Sequence, residues 1–259
     1  MPNKYTRSVA VNMVIANMIG TGIFTSLGFQ VVDGAIPDAF SILIIWILGG
    51  IVALCGAMSY GEVASSIKKS GGEYTFLSKL YHPSIGFASG WISLFVGFSA
   101  AIASLGLATG EYFLPLTGLD SDATINLLII TLPIKKLIAL TVIFLVVIVQ
   151  MRGVKIGGAF QNVMTYVKLG MILIFIITPF IFLGSYEPSG ISFYPTEISS
   201  STIFSLPFAG ALVWVMFSYS GWNASTYIVG NLESPRKNLP FSLLAGTLIV
   251  TVLYVVLNI

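Results

Sequence analysis

Charge is scarce in this sequence. Asp, Glu, Lys and Arg make up 8% of its 259 residues, where a soluble domain carries ~25%. That scarcity excludes an ordinary water-facing surface. Cysteine is nearly absent as well. Cys55 is the single one and lies inside an apolar run, so no disulfide within the chain and no multi-cysteine metal cluster is possible. No metal-ligand cluster, nucleophile triad or nucleic-acid patch is visible, and no cofactor or enzyme activity is expected. Apolar residues are abundant instead, at 56% with mean hydropathy +0.95. The composition is that of an all-α integral membrane protein with several spans in a lipid bilayer.

Seven apolar stretches follow one another. They cover about 8–32, 40–64, 83–113, 137–150, 159–183, 202–229 and 241–259. The fourth starts at 137 or a little earlier, and the seventh is cut off at Ile259. A basic N-terminus with Lys4 and Arg7 precedes the first stretch. That stretch exceeds the ~7–15 apolar residues of a cleavable signal, so it reads as a retained span. Polar connections hold Asp120 and Asp122, then Arg152 and Lys155, then Glu187 and Glu197, then Glu233, Arg236 and Lys237.

Lysine and arginine set the orientation. With the N-terminus in the cytoplasm, Lys4, Arg7, Lys68, Lys69, Lys79, Arg152, Lys155, Arg236 and Lys237 lie inside. Only Lys135 and Lys136 lie outside, together with Asp33, Asp38, Glu111, Asp120, Asp122, Glu187 and Glu197.

Two of the spans are interrupted. Gly20-Thr21-Gly22 stands in the middle of the first, and each glycine weakens a helix by ~1 kcal/mol relative to alanine. Ser218-Tyr219-Ser220-Gly221 stands in the middle of the sixth. Broken backbone is tolerated at membrane depth only where it is buried in protein or lines a cavity. Such breaks expose amides, which suit a carboxylate, and carbonyls, which suit an ammonium group. The pattern reads as a site for a small zwitterion. Two breaks five spans apart run in opposite directions, which is the arrangement of inverted-repeat transporters. The competing reading is that Gly20, Gly22 and Gly221 merely let helices pack closely.

Four stretches carry a family resemblance. They are Ile19-Gly20-Thr21-Gly22-Ile23-Phe24, Ser70-Gly71-Gly72-Glu73-Tyr74, Phe217 through Asn223, and Asn231 through Pro240. Their order and spacing resemble the amino-acid/polyamine/organocation permeases, and within them the bacterial relatives of the L-type amino-acid transporters. The resemblance implies a LeuT-type helical bundle of two inverted five-helix repeats with discontinuous first and sixth helices. The first repeat would cover about 8–184, and the second would begin at about 202 and be incomplete at 259. The chain is then expected to be an N-terminal piece of a longer permease.

The resemblance also implies site residues. The substrate carboxylate would lie on the amides of Thr21, Gly22 and Ile23. The ammonium would meet carbonyls of Met18 or Ile19 and of Phe217 or Ser218. Phe217 would act as a thin outer gate, with Ser220 and Asn17 towards the substrate side chain. Neither break holds a central charged side chain, which favours neutral amino acids.

Lys168 stands among apolar residues of the fifth span, about 12 Å in at ~1.5 Å per residue. A lysine there costs ~2.5–3.5 kcal/mol and calls for a partner. It snorkels to the cytoplasmic surface, or, as the resemblance implies, its ammonium fills a sodium position or works as a proton-linked switch. The second of these predicts sodium-independent exchange or proton-coupled transport.

Other residues carry plainer expectations. Gly71-Gly72-Glu73-Tyr74 shapes a short intracellular helix and lacks the ending of a phosphate loop. His82 is a surface residue, Glu62 and Glu233 form solvated pairs, and Trp91, Phe95 and Phe98 are packing. With no cysteine in an outer loop, a disulfide-linked partner subunit is not expected. The functional expectation is a secondary amino-acid transporter working by alternating access. The alternative is a non-transporting membrane scaffold or remnant of such a permease. A channel would need a continuous polar path, and the spans show none.

Overall fold

The computed structural model describes residues 4–28, 30–31, 36–67, 69–120, 123–127, 130–182 and 193–258. Asp33, Lys68, Asp122 and Glu187, and the side chain of Lys155, lie outside the described residues. The helices are α1 (Arg7–Met18), α2 (Thr21–Gly28), α3 (Ala39–Ile67), α4 (Gly72–Leu80), α5 (Pro83–Ile92), α6 (Ala101–Phe113), α7 (Ile134–Met151), α8 (Val154–Phe182), α9 (Glu197–Ile203), α10 (Leu206–Ser218) and α11 (Pro235–Leu257). Among the described residues six helical stretches are long and apolar enough to cross a membrane, and the pair α9–α10, bent by 67°, makes up to seven.

The chain gathers into two compact units, Met1–Phe76 with Asn162–Ile259, and Leu77–Gln161. In the first, α3 buries a stripe of Ile45, Trp46, Gly49, Ala53, Ala57, Gly61 and Ala64. These positions recur every three or four residues, so they share one helix face. The glycines and alanines among them let neighbours come close. Gly49 lies against Val215 and Tyr219, and Gly61 against Pro240. Leu239, Leu243, Gly246, Val250 and Tyr254 form the matching buried stripe of α11, and Gly246 receives Val14 of α1.

The N-terminus is strapped to the segment before α11. Tyr5 N–H donates to the Asn231 carbonyl at 2.7 Å, and Glu233 N–H donates to the Tyr5 carbonyl at 2.9 Å. Arg7 Nε donates to Asn238 Oδ1 at 2.9 Å, with its guanidinium 4.7 Å over the Phe241 ring.

In the second unit α6 packs on α7 through Gly106 and Ile143, and Lys135 pairs with Glu111 at 3.4 Å. Exposed His82 caps α5, its Nδ1 accepting the Ser84 N–H at 3.3 Å. Trp91 and Phe95 stack on the exposed outer surface, with ring centroids 5.0 Å apart.

Several boundaries differ from the sequence expectation. Ser93–Ala100 forms a π-helical turn within the third span. Two short antiparallel strands, β1 (Thr124–Leu127) and β2 (Ile130–Pro133), pair Thr124 with Pro133 and Leu127 with Ile130 where a loop was expected. Their β-branched residues favour extended backbone. The seventh span begins at Pro235 rather than near 241, with proline in the first helical turn where its missing N–H costs nothing. The fifth starts at Val154 instead of 159. Thr202 belongs to α9, not to the sixth span proper, because Ser205 Oγ caps a new helix by accepting the Phe208 N–H at 3.3 Å.

Candidate functional site: two helix breaks that meet

The first span parts at Ile19-Gly20, between α1 and α2. Because α2 begins at Thr21, the amides of Thr21, Gly22 and Ile23 fall in a first helical turn, whose N–H groups have no intrahelical partner. The sixth span parts after Ser218. Tyr219 through Asn223 turn, and Ala224–Asn231 continues as a 3₁₀ helix.

The two breaks meet. Ser26 Oγ and Ser218 Oγ lie 2.6 Å apart. A Cβ on Gly22 would fall 2.7 Å from Ser218 Oγ and 2.9 Å from its Cα, so only glycine permits this approach. Gly221 sits at φ +97° with Asn17 directly against it, and a Cβ there would fall 2.8 Å from the Asn17 carbonyl oxygen. That backbone conformation belongs to glycine.

The break carbonyls are occupied by side chains from other spans. Lys168 Nζ on α8 donates to the Ile19 carbonyl at 2.9 Å and to the Ala16 carbonyl at 3.3 Å. Its head is therefore turned onto the first break. Tyr254 Oη on α11 donates to the Met18 carbonyl at 2.7 Å, with the Ser218 carbonyl at 3.3 Å. The Phe217 carbonyl accepts the Ser220 N–H at 3.0 Å. The expected ammonium acceptors are thus met in different ways: Met18 and Ile19 by side-chain donors, Phe217 by backbone N–H groups, and Ser218 by the longer phenol contact.

The expected site residues are divided by exposure. Met18, Ile19, Gly22, Ile23 and Ser218 are buried, Thr21 and Lys168 are half-buried, and Phe217 and Ser220 are exposed. Asn17 is exposed and returns its side-chain amide to the Met13 carbonyl at 2.8 Å.

Three groups escape a reading of the sequence. Ser26 and Tyr254 hold the breaks, and the half-buried Glu73 sits beside the far end of the sixth-span turn. Tyr227 Oη donates to Glu73 Oε2 at 2.6 Å, and the Asn223 amide donates to the other carboxylate oxygen. Ser70 Oγ accepts the Gly230 N–H at 2.8 Å. The Ser-Gly-Gly-Glu stretch opens α4, the expected short helix, and also anchors the segment after the sixth break. A phenol in an aliphatic run is the one sequence signal that Tyr254 offers, since a buried Tyr hydroxyl needs a partner.

Two discontinuous apolar spans joined at their breaks define a membrane protein with a polar centre built from backbone. Residues 7–259 match the amino acid permease family, and the chain belongs to it. It is 30% identical over 249 residues to a serine/threonine exchanger of Bacillus subtilis, covering 96% of this chain and 52% of that protein. It is 32% identical over 251 residues to a mouse b(0,+)-type amino acid transporter, covering 95% and 48%. It is 31% identical over 264 residues to the human cystine/glutamate transporter, covering 100% and 49%. The chain spans about half the length of these relatives, all of which are transporters rather than enzymes.

Proposed function

We propose that this chain is the N-terminal part of a secondary active transporter that carries amino acids across a bacterial cytoplasmic membrane by alternating access. The observation that carries this reading is the meeting of the two breaks at Gly22 and Ser218, in a chain of the amino acid permease family. The amides of Thr21, Gly22 and Ile23 take the substrate carboxylate. The carbonyls of Met18 or Ile19 and of Phe217 or Ser218 take its ammonium. Phe217 covers the site from outside and Ser220 faces the substrate side chain. The helices form the first inverted repeat, about 8–184, and the opening of the second, about 202–259, with the N-terminus in the cytoplasm.

Lys168 makes the carrier independent of sodium. Its ammonium supplies a fixed positive charge to the Ala16 and Ile19 carbonyls, where half-helix C-terminal ends otherwise attract a cation. Transport then runs by exchange or with proton coupling. Cys55 is the single cysteine and sits within α3, so no disulfide joins a partner subunit to this part of the protein.

Counterflow tests the reading. Proteoliposomes holding the full-length permease are loaded with unlabelled L-serine and given labelled L-serine outside, with choline replacing sodium. L-Threonine and L-leucine are run in parallel. The expected result is transient accumulation of label above equilibrium. No counterflow with any neutral amino acid contradicts the carrier in favour of a scaffold, and counterflow that requires sodium contradicts the role of Lys168.

A further inference from the structure

Beyond the sixth break, Ala224–Asn231 runs for 8 residues as a 3₁₀ helix. Runs longer than ~3–4 residues are uncommon, because 3₁₀ hydrogen-bond geometry is poorer than that of an α-helix. Such a stretch needs support from outside itself. The residues around the start of α4 supply it from both ends. At its head, Asn223 and Tyr227 both donate to the Glu73 carboxylate, one to each oxygen, with Tyr227 Oη at 2.6 Å. At its tail, the Gly230 N–H donates to Ser70 Oγ at 2.8 Å.

The seat is shaped for this contact. Gly72 stands at φ +52°, and a Cβ there would fall 2.5 Å from Tyr227 Cε1. Thr75 Oγ1 donates to the Ser70 carbonyl at 2.8 Å and closes the turn that carries both anchors. Trp222 packs edge-on to Tyr60 of α3, with centroids 4.8 Å apart. Glu73 is half-buried, and among the described residues no lysine or arginine pairs with it. Its charge rests on two neutral donors and on its place in the first turn of α4, where a carboxylate is favoured. Hydrogen bonds to a carboxylate are roughly twice as strong as neutral ones, so Glu73 is a stronger anchor than the Ser70 hydroxyl.

We propose that Glu73 is a positioning residue: its carboxylate staples Asn223 to Tyr227 and holds the half of the sixth span beyond the break in its stretched 3₁₀ form, docked on the start of α4. A 3₁₀ helix rises ~2.0 Å per residue and an α-helix ~1.5 Å. Without the staple the segment shortens towards an α-helix and draws away from Ser70. Glu73 needs no contact with substrate. The transport consequence, a sixth span that bends only at its break, rests on the carrier reading above, whereas the staple does not.

The test compares Glu73→Met, Glu73→Gln and Lys79→Met in the full-length protein, with amide hydrogen exchange followed across 219–232. Methionine removes both acceptors. Glutamine accepts from Asn223 and offers an N–H to the Tyr227 oxygen, without charge. Lys79 is exposed on the same helix. Loss of a charge-assisted hydrogen bond corresponds to at least about tenfold. Glu73→Met is expected to speed exchange about tenfold from Thr226 to Asn231, Glu73→Gln less than about threefold, and Lys79→Met not at all, with α1 and α3 unchanged in each. In proteoliposomes the maximal L-serine exchange rate of Glu73→Met falls about tenfold while KM stays within about threefold, and Glu73→Gln restores most of it. If Glu73→Met does not insert, Tyr227→Phe removes one donor and keeps the ring on Gly72, and the same amides quicken about tenfold. No quickening in Glu73→Met or Tyr227→Phe, equal quickening in Glu73→Gln and Glu73→Met, or quickening in Lys79→Met overturns the staple. Wild-type protein without counterflow removes the carrier reading, and the hydrogen-exchange arm still decides the staple.

Discussion

The two breaks look alike in the sequence and differ in how much of their hold is local. The first is held from outside itself. Its carbonyls at Ala16, Met18 and Ile19 take an ammonium from α8 and a phenol from α11. The sixth closes more of its bonds within its own turn, and Ser26, Ser70 and Glu73 anchor it from outside as well. Tyr219 N–H returns to Val215, Ser220 N–H to Phe217 and Ala224 N–H to Gly221, at 3.0, 3.0 and 3.1 Å, and Thr226 Oγ1 closes on the Asn223 carbonyl at 2.7 Å. A locally closed turn survives changes in its neighbours, whereas a break satisfied by distant side chains takes its shape from them. Buried backbone groups must be paired one way or the other. The first break is thus the one whose conformation reports on the rest of the bundle.

The sharpest way to break the comparison is to part the two breaks themselves. Gly22→Val places side-chain carbon where Ser218 already stands, an overpacking of ~1–3 kcal/mol, and fills the approach to the Thr21 and Ile23 amides. Labelled L-serine uptake is expected to fall below detection while membrane insertion persists. Uptake at the wild-type rate by a well-expressed variant contradicts the site.

Lys168→Met asks whether the first break depends on α8. It leaves the Ala16 and Ile19 carbonyls without their charged donor, a loss of ~1.5–3 kcal/mol, or about 10–100-fold in exchange rate. Hydrogen exchange should quicken at Ile19 and remain as it was at Tyr219 and Ser220. Equal quickening at both breaks would show that the sixth is not the more locally held.

Gly221→Ala sharpens the comparison from the other side. It forces a Cβ into a left-handed backbone and against the Asn17 carbonyl, at ~1–3 kcal/mol. About a tenfold loss of exchange rate is expected, with sodium independence retained, because Lys168 is untouched. A shift to sodium-dependent exchange in Gly221→Ala would link the two breaks more tightly than the geometry does.

Much of this was legible in the residues. Gly20-Thr21-Gly22 and Ser218 through Gly221 announce the breaks because glycine and a polar run are costly inside an apolar helix. Lys168 stands out because a charge among Val167, Leu169 and Met171 must find a partner, although the sequence left open which way its head turns. The spans themselves follow from hydropathy. Tyr254 was not legible, because an aromatic in an apolar run has the same sequence signature whether its hydroxyl holds two carbonyls or none. Glu73 was read as part of a short helix, and its hold on Asn223 and Tyr227 arises only when residues about 150 positions apart are brought together. The β1–β2 hairpin was missed because its short apolar strands resemble the edge of the fourth span.

The most direct test of the account is whether substrate sits at the breaks. Ser220 is exposed beside the sixth break, and Cys55, the single cysteine of these 259 residues, is exposed as well. In a full-length background with every cysteine, Cys55 included, replaced by serine, Ser220→Cys is labelled with a methanethiosulfonate reagent while L-serine is raised. The account predicts that L-serine slows labelling in a saturable way, at concentrations matching the KM for counterflow, and that adding Gly22→Val abolishes this protection. Labelling that is unaffected by L-serine in a protein that nevertheless exchanges it would contradict a site between the two breaks.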